Sequence, residues 1–190
     1  DVRSGGSPND TTPTLGGVAE AGSRVSIYDG GTLLGTAIAG STGAWTFTTA
    51  ALTQGTHPLS VTVTDTAGNV SGTTSASVII DTTPPAAATI ATVTDDVGGV
   101  QGTLSSGDTT DDTTPLLQGT APADAVITVY DGATLLGTAT LDGSGGWSFT
   151  PVTPLTDGPH SLTVHATDAA GNTTISSPFV LTVDTVAPAT

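Results

Sequence analysis

The sequence predicts an all-β chain folded as two tandem two-sheet sandwiches in an extended arrangement, and three observations carry that expectation. Apolar and polar residues alternate with period two in short runs rich in Val, Ile and Thr. Glycine, asparagine and aspartate punctuate those runs at short intervals. Nearly the whole chain also repeats once upon itself. No segment shows the 3.6-residue period of an amphipathic helix.

The repeat sets the domain count. DTTPTLGG at Asp10 to Gly17 returns 102 residues later as DTTPLLQG at Asp112 to Gly119, and SIYDGGTLLGTA from Ser26 returns as TVYDGATLLGTA from Thr128. WTFT from Trp45 matches WSFT from Trp147, HPLSVTVTDTAGN from His57 matches HSLTVHATDAAGN from His160, and IIDTTPP from Ile79 matches TVDTVAP from Thr182. A unit of about a hundred residues is an ordinary domain size. The boundary falls in Asp81-Thr82-Thr83-Pro84-Pro85, because paired prolines cannot continue a sheet ladder, so the domains are 1–83 and 84–190. Only Asp1 to Asn9 precede the first DTTP, whereas Ala86 to Asp111 precede the second. The first repeat is therefore expected to lack its leading strand.

In the second copy the pattern places strands at Thr89 to Val93, Leu116 to Thr120, Val126 to Tyr130, Leu135 to Leu141, Trp147 to Thr150, Ser161 to Thr167 and Phe179 to Val183; the first copy repeats the last six. Leu162, Val164 and Ala166 alternate with Ser161, Thr163 and His165, as Leu59, Val61 and Val63 do in the first copy. Those apolar rows line the core, faced by Ala76, Val78 and Ile80 or Phe179, Leu181 and Val183, with Trp45, Phe47, Trp147 and Phe149 as the large anchors. Tyr28 and Tyr130 fall out of phase and point outward.

Composition excludes several classes of function. Seventeen acids face two bases, Arg3 and Arg24, for a formal charge of -15, which repels nucleic acid and anionic membrane surfaces. Cysteine is absent, so disulfides and thiolate chemistry are absent with it. No run approaches the roughly eighteen apolar residues of a membrane span. A nucleophile would be an unassisted Ser or Thr, since there is no lysine and no G-x-S-x-G turn. The pairs Asp95–Asp96 and Asp111–Asp112 are adjacent on an extended chain and point apart, unlike the facing carboxylates of a glycosidase. His57 and His160 sit at strand starts, where capping or packing explains them. The chain is expected not to be an enzyme.

Taken together, DTTPTLGGVAEAGSRVSIYDGGTLLGTA, the W-x-F-T strand, the T-D-x-A-G-N hairpin and the closing D-T-x-x-P resemble the bacterial immunoglobulin-like repeats of giant secreted adhesins and biofilm-associated proteins. The resemblance spans both copies. It implies immunoglobulin-like sandwiches serving as spacer repeats of a stalk at the bacterial cell surface, outside the cell. It further implies neighbouring repeats of the same chain as partners, calcium at or near domain junctions that stiffens the string, and a role in cell adhesion and biofilm formation. The first copy departs from the pattern in lacking the TDDV of Thr94 to Val97.

The acids offer a place for that calcium. The loop from Thr94 to Asp112 carries Asp95, Asp96, Asp108, Asp111 and Asp112 with no base between them, and calcium takes six to eight oxygen ligands, chiefly carboxylates and carbonyls. No EF-hand spacing is present. Sandwich topology puts Asp184, at the end of the last strand, beside that loop. It puts Asp81 at the lower pole of copy one, toward the upper pole of copy two, where Asp142, Asp168 and Asn172 protrude, and that junction is the expected interdomain metal site. The alternative is plain: these acids solvate loops or cap turns, Asp10, Asp112, Asp65 and Asp168 by Asx hydrogen bonds, with Asp29 and Asp131 in hairpin turns. A different class of function, recognition of a glycan or host protein through the loops, also suits a sandwich scaffold.

Overall fold

A computed structural model describes residues 3–4, as backbone, and 9–189. The chain divides into two compact units, Asp1–Thr83 and Pro84–Thr190. Every regular element among the described residues is a strand, and no helix there is long and apolar enough to cross a membrane.

The first unit comprises β1 (Arg3–Ser4), β2 (Thr14–Val18), β3 (Arg24–Asp29), β4 (Thr32–Ile38), β5 (Ala44–Thr48), β6 (Gly55–Thr64) and β7 (Thr74–Ile80). They form two sheets, β1-β2-β5 and β4-β3-β6-β7. Alternation does the sorting: Leu59 and Val61 on β6 and Val25 and Ile27 on β3 turn inward, where they meet Leu15 and Trp45 of the other sheet. Arg3 and Ser4 pair with Gly16 and Leu15 of β2. The expected loss of a leading strand bears mainly on residues that lie outside those described.

The second unit comprises β8 (Thr89–Asp95), β9 (Gly102–Leu104), β10 (Thr109–Thr110), β11 (Leu116–Thr120), β12 (Val126–Asp131), β13 (Thr134–Thr138), β14 (Thr140–Leu141), β15 (Gly146–Phe149), β16 (Gly158–Thr167), β17 (Thr173–Ile175) and β18 (Phe179–Val183). One sheet runs β14-β15-β11-β8-β9. The other runs β10-β18-β16-β12-β13, with β17 also on β16. Leu117, Ile127, Val129, Leu162, Val164 and Leu181 fill the space between them with at most 2% of their surface exposed. Burial on that scale is worth roughly 1.5–3 kcal/mol for each large side chain.

Three strands, β9, β10 and β17, fall where the sequence shows none. Each is two or three residues long, too short to display alternation, and each exists because a longer neighbour offers a partner edge. The acidic stretch after β8 is thus a strand pair and a crossing segment instead of one loop. It first returns along β8, Leu104 opposite Val93. It then crosses to the other sheet, where Thr109 and Thr110 run parallel to Thr182 and Val183 of β18.

Trp147 anchors the start of the second unit. Its indole Nε1 donates to the Thr89 carbonyl at 3.1 Å, across the face of Gly119. The β8–β11 register slips between Gln118 and Gly119, and a Cβ at Gly119 would collide with the Thr89 carbonyl. Gly119→Ala is expected to displace β8 and cost about 1–3 kcal/mol, as overpacking does; denaturant unfolding of the purified variant measures it. Leu162→Ala, which empties a fully buried site, should cost roughly 2–5 kcal/mol in the repeat that carries it. Fluorescence unfolding followed in a Trp45→Phe background isolates that repeat.

Candidate functional site

The parallel pairing of β10 with β18 builds one end of the second repeat. The Thr182 amide donates to the Asp108 carbonyl and the Asp184 amide to the Thr110 carbonyl, both at 2.9 Å. Because β8 ends at the same pole, Asp95, Asp108, Asp111 and Asp184 come to line a single cleft of about 490 Å³, together with Gly99, Gly102 and Thr110. Asp184 therefore stands beside the acidic stretch, where topology places it.

Two of the acids at this pole are buried. Asp95, 4% exposed, accepts the Val97 amide at 3.0 Å and the Thr110 hydroxyl at 2.5 Å. Asp112, 1% exposed, uses Oδ1 to accept the Thr114 amide at 2.7 Å, while its Oδ2 is buried with no hydrogen-bond partner. The Thr110 hydroxyl also receives the Asp112 amide at 3.0 Å, so one threonine ties the two carboxylate positions together. A buried carboxylate oxygen without a donor costs on the order of 1–3 kcal/mol or more. Asp111 packs over the backbone of Gly98, whose φ of +68° and contact with the carboxylate leave no room for a side chain.

The donor set is oxygen only: carboxylates, backbone carbonyls and threonine hydroxyls, which suits a hard divalent cation. The orphaned oxygen of Asp112 and the acid-lined cleft fit such an ion in chemistry. Among the described residues no three acidic or histidine side chains already converge to hold one. The carboxylates stand apart, as like charges do.

Local hydrogen bonds engage cleft acids as well, Asp108 accepting the Ser105 amide at 2.7 Å and Asp184 the Val186 amide at 3.1 Å, and they engage the remaining candidate acids too. Asp96 is exposed, and its carbonyl accepts Gln101 Nε2 at 2.9 Å. Asp142 accepts the Ser144 amide and hydroxyl and the Gly146 amide. Asp168 accepts the Ala170 and Asn172 amides and the Asn172 side chain, as Asp65 does with Ala67 and Asn69. Hydrogen bonds from the Ser144 hydroxyl and from the Asn172 and Asn69 side chains hold Asp142, Asp168 and Asp65 below the usual carboxylate range. Asp81 accepts Gln54 Nε2 at 3.0 Å and the Thr83 amide at 3.1 Å. Asp10, the counterpart of Asp112, accepts the Thr12 amide and hydroxyl.

Sequence reasoning left the histidines to capping or packing and the aspartates before Gly30 and Gly132 to turns; the structure joins them. His57 Nδ1 meets Asp29 Oδ2 at 2.7 Å and its Nε2 meets the Thr53 carbonyl at 2.8 Å. His160 does the same with Asp131 at 2.6 Å and Thr156 at 2.7 Å. The Thr53 carbonyl and then the Asp29 carboxylate raise the His57 pKa above its usual value. Burial pulls His160 down, but the Thr156 carbonyl and Asp131 together outweigh it and leave it raised. The available signal was the recurrence of both partners, Asp and His, at matching places in the two copies. In the second copy alone, Tyr130 and His165 stack on the outer face of the sheet, ring centres 4.1 Å apart.

Comparison with known proteins places this geometry. The family model described as bacterial Ig-like domain matches residues 3–82 and again 87–185. Among solved structures, the fibronectin(III)-like modules of Clostridium thermocellum CbhA share the fold: TM-score 0.53 and 14% identity over 91% of this chain and 84% of that one. A biofilm-associated protein BSP domain aligns at 20% identity and TM-score 0.37 over 98% of this chain, which spans 30% of that one. A putative membrane anchored protein from Corynebacterium diphtheriae aligns at 13% identity and TM-score 0.36, covering 91% of this chain and 50% of that one. No curated protein matches the sequence. With both copies matched across nearly their full length, the chain belongs to the bacterial Ig-like domain family, as two tandem repeats.

Proposed function

We propose that this chain is a stretch of stalk from a bacterial surface adhesin, outside the cell, whose repeats carry no catalysis and whose acidic poles take calcium. The observation that carries the cation reading is the orphaned Oδ2 of Asp112, buried at a pole whose cleft is lined by Asp95, Asp108, Asp111 and Asp184. A buried acceptor without a donor is stabilised by a positive charge, and the chain has only two Lys or Arg residues to supply one.

The residues that would hold the ion are Asp95, Asp108, Asp111 and Asp184, with Asp112 behind them and Asp96 at the margin. A divalent cation supplies charge neutralisation, nothing more. The protein's part is mechanical: Asp184 begins the segment that leaves the last strand, and Asp108 and Asp111 flank β10. Drawing these carboxylates together fastens the exit of the chain to the body of the repeat. Freedom at the base of each linker falls, and a string of such repeats stiffens. Asp81 occupies the position of Asp184 in the first copy, and Asp142 and Asp168 extend the same reading to the opposite pole. The support for a surface repeat is the family and its tandem occurrence; adhesion and biofilm formation follow as the role of the parent protein, through neighbouring repeats and a ligand of the host surface or matrix.

One observation favours a second reading, recognition of a glycan. The Tyr130–His165 stack gives the second repeat an aromatic surface that the first, with Thr62 at the matching position, does not have. If the stack is a sugar platform, binding on a glycan array is lost in Tyr130→Ala and retained in Tyr28→Ala.

Calorimetric titration of the full chain with calcium is expected to show uptake, and Asp111→Asn or Asp184→Asn should weaken it by about tenfold or more. Calcium at a hundred times its dissociation constant should stabilise the second repeat by about 2.7 kcal/mol, read as a raised thermal midpoint reversed by chelator. Small-angle scattering should show a larger maximum dimension with calcium than with excess chelator. No heat, no shift in midpoint and no change in dimension together overturn the reading.

A further inference from the structure

Each repeat contains a chain of contacts that starts at its buried histidine and ends on the segment leaving its last strand. In the first repeat the ring of His57 touches the Asp29 carboxylate with one nitrogen and the Thr53 carbonyl with the other. The next residue, Gln54, accepts the Thr82 amide at 2.7 Å and the Thr82 hydroxyl at 2.8 Å through Oε1. Thr82 follows β7 by two positions. In the second repeat His160 grips Asp131 and Thr156, and the next residue, Asp157, accepts the Thr185 amide at 3.1 Å and its hydroxyl at 2.9 Å. Two copies that differ at many positions keep the same linkage, with Gln54 replaced by Asp157.

The partners of the ring decide its protonation. A carboxylate oxygen and a main-chain carbonyl both accept and cannot donate, so both ring nitrogens must carry hydrogen for both contacts to exist. That species is the imidazolium cation. A neutral ring keeps one N–H, and the charge-assisted contact to Asp29 or Asp131 is the stronger claim on it. The Thr53 or Thr156 carbonyl then faces a lone pair, and the loop, still held by the Leu52 or Leu155 amide, loses this second tie.

We propose that His57 and His160 are proton-dependent keys of a clamp that fixes the chain where it leaves each sandwich: the protonated ring holds the loop, and the loop holds Thr82 or Thr185. Raising the pH through the titration of the ring releases this tie on the loop and loosens the exit segment; lowering it locks both.

The surroundings favour the cation. Around His57, β3 contributes Asp29 and, at its far end opposite Thr64, Arg24; β4, β5 and the loop before β6 contribute no ionisable group, Asp81 follows β7, and Asp10 precedes β2. Opposite the ring on β7 stands Val78. Around His160, β12 contributes Asp131, the loop Asp157, the β9–β10 turn Asp108 and the crossing segment Asp111. Asp184 follows β18, Leu181 lies opposite, and His165 lies on the outer face of the same strand. Apart from distant Arg24 and outward His165, every titratable neighbour is an acid. The ring pKa is raised in both repeats. A raised histidine contributes stability that is full below its unfolded value of 6.5 and is lost as pH climbs through the folded value.

The test uses the full chain in excess chelator, so that the outcome is independent of bound metal. Nitrogen-detected NMR of the two rings on the unmodified protein should show both nitrogens protonated below pH 6.5 and a titration above that ordinary histidine value. Protection of the Thr82 and Thr185 amides against hydrogen exchange, corrected for intrinsic rates, should fall about tenfold or more as pH passes that titration, while amides of the central β3 and β12 hold. Asp29→Asn and Asp131→Asn should bring the ring titrations down and move the loss of amide protection with them, each in its own repeat. His57→Gln and His160→Gln should leave Thr82 and Thr185 weakly protected at every pH, with the pH dependence of the thermal midpoint flattened between pH 6 and 9. A ring that titrates at or below the ordinary value of 6.5, or amide protection that ignores its titration, overturns the proposal. The NMR arm requires no variant to fold.

Discussion

The parallel contact between β10 and β18 organises the acidic end of the second repeat. It is only two residues long, Thr109 with Thr182 and Thr110 with Val183. Yet it draws a glycine-rich acidic segment across from one sheet to the other and lays it beside the strand through which the chain departs. Without it the segment of Asp108 and Asp111 would lose its main-chain bonds to Thr182 and Asp184, and Asp184 its bond to the Thr110 carbonyl. With it, four carboxylates share one cleft, and the Thr110 hydroxyl links the buried Asp95 and Asp112 beneath.

Electrostatics gives that arrangement its character. A chain with a formal charge of -15 stores repulsion wherever acids gather, and the two poles of a repeat treat it differently. At the hairpin pole the acids are neutralised in place by main-chain and asparagine N–H groups, Asp168 by Ala170 and Asn172, Asp65 by Ala67 and Asn69. At the exit pole Asp95, Asp108 and Asp184 also take local donors, but Asp112 Oδ2 has none. Inside the sandwich the answer is different again, a histidine between a carboxylate and a carbonyl. Local donors and a histidine bridge are two answers to one excess of negative charge; an external cation would be a third under the function proposed above.

Much of the fold was legible because sandwich strands announce themselves by alternation. Leu162, Val164 and Ala166 are inward and fully buried, and the strands Leu116–Thr120 and Phe179–Val183 occupy the positions their pattern assigns. What escaped was short or cooperative. β9, β10 and β17 have too few residues to carry a period, and their pairing comes from neighbours distant in sequence. The site was legible in part for the same reason. Topology places Asp184 beside the acidic segment, but burial of Asp95 and Asp112 depends on which way a crossing strand turns, and no spacing rule encodes that. The histidine–aspartate pairs span 28 and 29 residues, a separation at which only the repetition of both partners gives a sign.

The departure of the chain along β18 of the second repeat bears on how that repeat carries load. In the second repeat the chain enters along β8, held by β11, and leaves along β18, held by β16 and β10, so tension on the exit segment pulls β18 lengthwise against β10. The Thr182–Asp108 and Asp184–Thr110 hydrogen bonds are then strained in shear and share the force, instead of opening one after another like a zip. The longer β16–β18 ladder is loaded along the same axis, so the small parallel patch adds to the lengthwise hold on the exit strand.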